Sequence, residues 1–255
     1  MSKVALIIGG TGGFGRAIAE DLATRDYAVV IAGRSAEKGN AAVSAITAAG
    51  GQSSFIPCDV TKRSDIRALH AQVDASTLAV AINTFSVLGP LKRTDLVSED
   101  ELDHVVNVNI IGFYLCMQEQ IRLMLASPAE GRCCHIINVS SIYGLRGVSF
   151  GSPYSTSKHA VIGMTKSAAA EHAKAGIYIN VLAPGVIPTD MIASMTELIG
   201  AEEADPVLKA KDFIGMYPAG RFGKVEDVAK AVAYVVENDW LVGSVLEIDG
   251  GLNAV

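Results

Sequence analysis

No apolar run in this 255-residue chain is long enough to cross a bilayer. The longest, such as "VALII" and "YAVVIA", are strand-sized, far short of the roughly 20 residues of a spanning helix. The 50% hydrophobic content is therefore expected to build a core, with no membrane partner. The opening "MSKVALIIGG" enters a strand pattern at once, without a separate h-region and cleavage site, so no secretory leader is expected. A basic stripe is also missing. The formal charge of -6 favours solubility and argues against a nucleic-acid partner. Cys58, Cys116, Cys133 and Cys134 contain no C-x-x-C pair, and neighbours in a strand point to opposite faces. Reduced, structural cysteines in a cytoplasmic protein are the expectation. The histidines form no H-x-x-x-H pair, which leaves a metal site without support. Linkers, repeats and low-complexity segments are lacking too, so residues 1–255 read as one domain.

What the chain does have is alternation. "KVALII", "YAVVIA", "SSFIP", "LAVAIN", "HIINVS", "IYINVLA" and "SVLEI" read as seven strands. Helical patterns lie between them near 13–25, 36–49, 62–75, 98–126, 153–175 and 224–237. Ser98 and Glu101 in "SEDEL" form a capping box. Continuous apolar strands with intervening helices predict an α/β fold, a doubly wound, seven-stranded parallel sheet of the Rossmann type. One long connection, 189–219, does not fit the alternation and is expected to be a lid or substrate-binding loop.

The first strand runs into "GGTGGFGRAIAEDLA". Glycines permit tight turning and close backbone approach, and a helix N-terminus offers free N–H groups to a pyrophosphate, so a dinucleotide is the expected ligand. The register is open: Gly10, Gly12 and Gly15, or Gly9, Gly12 and Gly15, or Gly9, Gly13 and Gly15 each fit a phosphate-binding pattern. A structural turn is the competing explanation. At the end of the second strand, Gly33 and Arg34 stand where a carboxylate would hold the ribose of NAD. A cation there suits the 2′-phosphate of NADP(H), with Ser35 as a further donor, in preference to NAD(H); a solvated arginine is the alternative.

Tyr154 and Lys158 are four apart at the start of a predicted helix and share one face, and Ser141 ends the preceding strand on the ligand-binding edge. Either residue of the Y-x-x-x-K pair is ordinary by itself. Together with Ser141 they form a proton-transfer device: a nearby ammonium and the positive ring of an oxidised nicotinamide lower a phenol from its pKa of about 10. Tyr154 would then exchange a proton with a substrate oxygen while Ser141 stabilises the developing oxyanion.

On these residues the chain resembles the short-chain dehydrogenases/reductases, in their compact single-domain branch. The resemblance implies catalytic roles for Ser141, Tyr154 and Lys158, and for Asn109 in "VVNVNIIG" as the residue holding a water near the lysine. It selects the glycine register of Gly9, Gly13 and Gly15, with Phe14 between them, and makes Asp59 and Val60 in "CDV" candidates for the adenine site. "NVLAPGVIPTDM" is similar to the family's proline-glycine motif and implies that Pro184, Gly185, Ile187 and Thr189 lie near the nicotinamide. Tyr154 and Lys158 are expected to touch the cofactor as well. A homo-dimer or homo-tetramer built on the helices at 98–126 and 153–175 is also implied.

The chain departs from the family pattern at two places. Ile8 replaces the usual threonine before the first glycine, and Asn83, Thr84, Phe85 and Ser86 replace Asn-Asn-Ala-Gly at the end of the fourth strand. Asn83 is the retained part of that cofactor-binding turn. Because the two strands should be neighbours, the departures are expected to be coupled. Phe85 either crowds the cofactor or turns away to fill the core. Ile142, Tyr143 and Val186, with Met191, Ile192, Met195, Leu198 and Ile199 of the long connection, suggest a moderately apolar carbonyl or alcohol substrate. Reduction of a 3-oxoacyl group on a carrier protein is an alternative, with Arg132 and Lys174 as a docking patch. A non-catalytic NADP(H) sensor is another.

Overall fold

The computed structural model describes residues 2–127, 133–188 and 214–254; Thr189 and the connection from 189 to 213, with Met191 to Ile199, lie outside them, as does Arg132. The strands are β1 (Val4–Ile8), β2 (Ala28–Gly33), β3 (Ser53–Pro57), β4 (Leu78–Asn83), β5 (Cys134–Val139), β6 (Ile177–Pro184) and β7 (Val245–Ile248). They form one seven-stranded sheet in the order β3-β2-β1-β4-β5-β6-β7, every pair parallel. The doubly wound prediction holds.

Alternation along β1 explains the two layers. Leu6 and Ile8 enter one apolar cluster with Val108, Cys116 and Met117, whereas Ala5 and Ile7 enter another with Ile18, Leu22 and Val232. A strand sends successive side chains to opposite faces, so a central strand covered on both sides has no polar face. The helices that cover it are α1 (Gly13–Ala23), α2 (Ala36–Ala48), α3 (Arg63–His70), α4 (Glu99–Val106), α5 (Phe113–Ala126), α6 (Ser152–His172) and α7 (Val225–Val236). The capping box forms as expected, Ser98 Oγ accepting from the Glu101 amide and the Glu101 carboxylate from the Ser98 amide.

Two helices differ from expectation. α3 ends early because Asp74 collects the amide and hydroxyl of Ser76, which starts a turn. The helix expected over 98–126 is interrupted by a π-helical stretch, Asn107–Gly112. A side chain on Gly112 would meet the Val60 carbonyl at 3.2 Å and the Phe85 ring at 3.3 Å, so the widened turn sits where two other segments approach closely. Single π turns inside α-helices are frequent at functional sites.

The chain order reverses between β1 and β4, and that switch point opens a crevice at the carboxyl ends of the strands. Beneath it, Asn83 is buried and does not reach the crevice with its side chain. It pairs across the strands with Asn138 at 2.8 Å and exchanges two bonds with Gln120 of α5. Its side-chain amide is thus spent on neighbours beneath the cofactor-binding turn expected here, and Asn138 continues the chain to Thr165 of α6 at 2.9 Å. Asn83→Ala leaves both amide partners unpaired and should destabilise the protein by roughly 2–4 kcal/mol in urea denaturation; a loss below about 0.5 kcal/mol would contradict this role.

Candidate active site

A cleft of about 440 Å³ opens at the switch point and is lined by the glycine loop, the end of β4, Ser141, Tyr154, Lys158 and the end of β6. Gly9 has a φ of +93°, and a Cβ there would lie 2.5 Å from Thr84 Oγ1 and 2.6 Å from the Phe85 amide nitrogen. A Cβ on Gly15 would strike the Gly9 carbonyl. Both positions therefore demand glycine. Gly13 and Phe14 also line the cleft, while Gly10 backs onto Ile7 and Ile31. Gly12 lines the cleft too, so the arrangement accommodates both registers that begin at Gly9. α1 begins at Gly13 with no side-chain cap and no acid in its first turn, leaving its N–H groups directed at the cleft for an anion.

Arg34 is exposed at the cleft edge beside Thr11, which packs against Gly33. Ser35 is the exception among the residues expected there. Its hydroxyl caps α2, accepting from the Lys38 amide at 3.2 Å, and it is absent from the cleft wall. Asp59 and Val60 do line the cleft. Partial burial opposes ionisation of Asp59, but two bonds from Thr61, together with Lys62 and Arg34, hold its carboxyl below the ordinary range. Pro184, Gly185 and Ile187 form the far wall.

The two departures from the family pattern meet physically. Ile8 is in register with Asn83, and the next residue, Thr84, donates twice to the Ile8 carbonyl, from its amide at 2.9 Å and its hydroxyl at 3.2 Å. A hydroxyl just past β4 thus ties the end of that strand to the backbone of β1. The Phe85 ring is tilted against Phe113 with centroids 4.3 Å apart and packs against a core cluster, while the residue also lines the cleft. The ring fills core space at one end of a residue that still forms part of the cleft wall.

On α6, Tyr154 and Lys158 share a face as expected. Lys158 is buried; its Nζ donates to the Val139 carbonyl at 3.1 Å and lies 5.2 Å from the Phe113 ring centroid and 5.6 Å from that of Tyr154. Ser141 Oγ accepts from the Tyr143 amide at 3.2 Å. Asn109 stands behind this group and not on the cleft wall: its Oδ1 accepts from the Val87 amide at 2.9 Å, and its Nδ2 donates to the Val87 carbonyl at 2.8 Å and to Ser157 Oγ at 3.0 Å.

Burial dominates the electrostatics. It drives the Lys158 amine down to about 7 and the Tyr154 phenol up to about 12, the latter opposed by hydrogen bonding from Ser141 and then Ser86. The expected depression of the phenol by the lysine does not arise from the protein alone, because desolvation favours the neutral form of both groups. Ser86, Val87, Leu88 and Leu91 also line the cleft. Ser86 was expected at the pocket wall, as a hydroxyl in place of the family's glycine, whereas sequence reasoning did not assign Val87, Leu88 and Leu91 to it. Tyr143 and Val186 reach the cleft as expected, whereas Ile142 is buried against Tyr217 and Leu252.

A model of the short chain dehydrogenase family matches residues 3–199. The chain belongs to that family. It is 31% identical to a 3beta-hydroxysteroid dehydrogenase of Mediterraneibacter gnavus, covering 98% of this chain and 94% of the relative. It is likewise 31% identical to a 3-oxoacyl-[acyl-carrier-protein] reductase of Homo sapiens, over the full length of both. Among solved structures, a variant of actinorhodin polyketide ketoreductase with NADPH superposes with a TM-score of 0.91 at 29% identity, over 100% of this chain and 98% of that one. The protein is thus a short-chain dehydrogenase by sequence, with the fold of enzymes that act on hydroxyl and carbonyl groups.

Lys158 yields a test of the burial argument. Its proton is bound more weakly in the folded chain, about 7, than at the ordinary lysine value of 10.5. Between those values the unfolded chain holds more protons, so this group adds stability as pH rises and contributes a constant penalty below about 7. Without added nucleotide, Lys158→Met should therefore be more stable than wild type at pH 7, with the gap in Tm closing toward pH 10. A gap independent of pH would contradict the shift.

Proposed function

We propose that this protein is an NADP(H)-dependent oxidoreductase that interconverts a carbonyl and an alcohol, with Tyr154 as general acid and base. The observation that carries the reading is the convergence of Ser141, Tyr154 and Lys158 on the same cleft as the glycine loop. The cradle fits a dinucleotide: Gly9 and Gly15 leave room only for backbone, and the uncapped α1 terminus suits a pyrophosphate. Gly13, Phe14, Asp59, Val60, Pro184, Gly185, Ile187 and Thr189 would complete the hold, with Arg34 on the 2′-phosphate.

When bound in its reduced form, the nicotinamide supplies hydride to the carbonyl carbon. Tyr154 gives its phenolic proton to the carbonyl oxygen, and the Ser141 hydroxyl stabilises the negative charge that develops there. The raised phenol of Tyr154 keeps its proton at neutral pH and is ready as an acid. In the oxidative direction Tyr154 must accept a proton, and Lys158 helps by returning to its charged form beside the phenolate. Asn109 supports both residues through Ser157 and Val87. Val87, Leu88, Leu91, Tyr143, Val148 and Val186 give the substrate end an apolar lining, which favours a moderately apolar ketone or secondary alcohol.

The human relative keeps carrier-linked 3-oxoacyl reduction as a second reading. Lys174 gives it no support, because it follows α6 at the end that feeds the start of β6, opposite the cleft. The proposed lid begins outside the described residues, but its far end returns to the site: Tyr217 is buried and its hydroxyl accepts from the Val186 amide at 2.9 Å. A cytoplasmic homo-dimer or homo-tetramer is proposed as well, with exposed Leu102, Tyr114 and Leu125 available on α4 and α5.

A carbonyl panel run with NADPH and NADH tests the reading. Tyr154→Phe should lower turnover by at least about 100-fold while leaving NADPH binding within about threefold. Arg34→Ala should weaken NADPH by about 10- to 100-fold and NADH little. Full activity in Tyr154→Phe would contradict the acid/base role. Wild type that binds NADPH but reduces nothing in the panel would favour a nucleotide sensor.

A further inference from the structure

The end of β4 holds a hydroxyl that the family pattern does not provide. Ser86 lies on the cleft wall between two segments of fixed backbone. Thr84 is bonded twice to the Ile8 carbonyl, and both polar backbone groups of Val87 are held by Asn109. Ser86 therefore has little freedom to withdraw, although it belongs to no regular element. Its hydroxyl reaches the Val87 carbonyl only at 3.5 Å, the limit of a hydrogen bond, so no strong structural bond consumes it. A hydroxyl offers one donor and two acceptor sites. The phenol of Tyr154 is the polar partner within its influence on the same wall.

We propose that Ser86 is a positioning residue for Tyr154: its hydroxyl hydrogen-bonds the phenol oxygen alongside Ser141 and stabilises the phenolate when the proton leaves. This rests on the acid/base reading of Tyr154. It assigns a use to a departure that otherwise looks like a loss. Glycine at this position leaves Ser141 as the sole hydroxyl acting on the phenol. Serine adds a second donor, which matters most in the alcohol-oxidising direction, where Tyr154 must act as its phenolate. Hydrogen bonds that favour the charged form make a group more acidic, the same direction in which Ser86 acts on Tyr154 here. The neighbouring Phe85 packs its ring on Phe113 while also lining the cleft beside Ser86.

The test is a titration of Tyr154 itself. Protein labelled with 3-fluorotyrosine, whose phenol is more acidic than tyrosine's, is followed by fluorine NMR, and the Tyr154 resonance is assigned by its loss in Tyr154→Phe. Ser86→Ala and Ser86→Gly should each raise the pKa of that phenol by about one unit, a tenfold loss of acidity, and Ser86→Thr should restore it. A structural role alone would alter stability without moving the titration. Should Ser86→Ala fail to fold, the glycine and threonine variants carry the comparison. Titration of all foldable variants at the wild-type pH would overturn the proposal. The readout needs neither substrate nor nucleotide, so an absence of NADPH-dependent turnover would remove the hydride-transfer reading while leaving this result to stand or fall separately.

Discussion

The site depends on the grip of one amide on one peptide. Asn109 occupies both backbone groups of Val87 and reaches Ser157 with the same side chain. A strand exit, a widened helical turn and α6 are joined at that point. Two of the three are not held there by regular α or β structure: β4 has ended and the segment 107–112 is π-helical, while Ser157 lies within α6. The buried amide is fully used, which makes it costly to disturb. Through it, the wall carrying Ser86 is held against the helix carrying Tyr154 and Lys158.

Around this grip the site is a low-dielectric pocket beside an anion-seeking loop. Lys158 is enclosed by Phe113, Tyr154 and the Val139 carbonyl, and its amine is driven down by the same desolvation that drives the Tyr154 phenol up. A phenol that keeps its proton beside an amine that takes up or gives up its own near neutrality suits a reaction in which charge appears only transiently. A few ångströms away the environment is different, because the bare N-terminus of α1 and Arg34 present positive potential at the cleft edge. The division matches a ligand with charged phosphates at one end and an uncharged reacting centre at the other.

Most of the architecture was legible because it follows from periodicity. Seven apolar runs became seven parallel strands within a residue or so of the expected ends, since a strand buried on both faces tolerates little else. The Y-x-x-x-K pair was legible for the same reason, four residues being about one helical turn. What was hidden depended on contacts between distant segments. Nothing local to "NVNIIG" announces a π turn; it is tied to the approach of Val60 and Phe85 to Gly112. Asn83 was legible as part of a turn at the cleft, but its side-chain bonds to Gln120 and Asn138 were not. Ser35 could have bound a phosphate or capped a helix, and the helix that begins at Ala36 takes it. The place of Phe85 was open from sequence because both cofactor and core are near, and the residue meets both, its ring on Phe113 and its position on the cleft wall.

Hydrogen exchange at the Val87 amide tests the central grip most directly. In Asn109→Ala that amide loses its acceptor, and its exchange should accelerate by at least about tenfold, while the amides of Leu78–Asn83 in the sheet keep their protection. Unchanged exchange at Val87 would contradict the account, since the wall of the site would then be held by something other than Asn109.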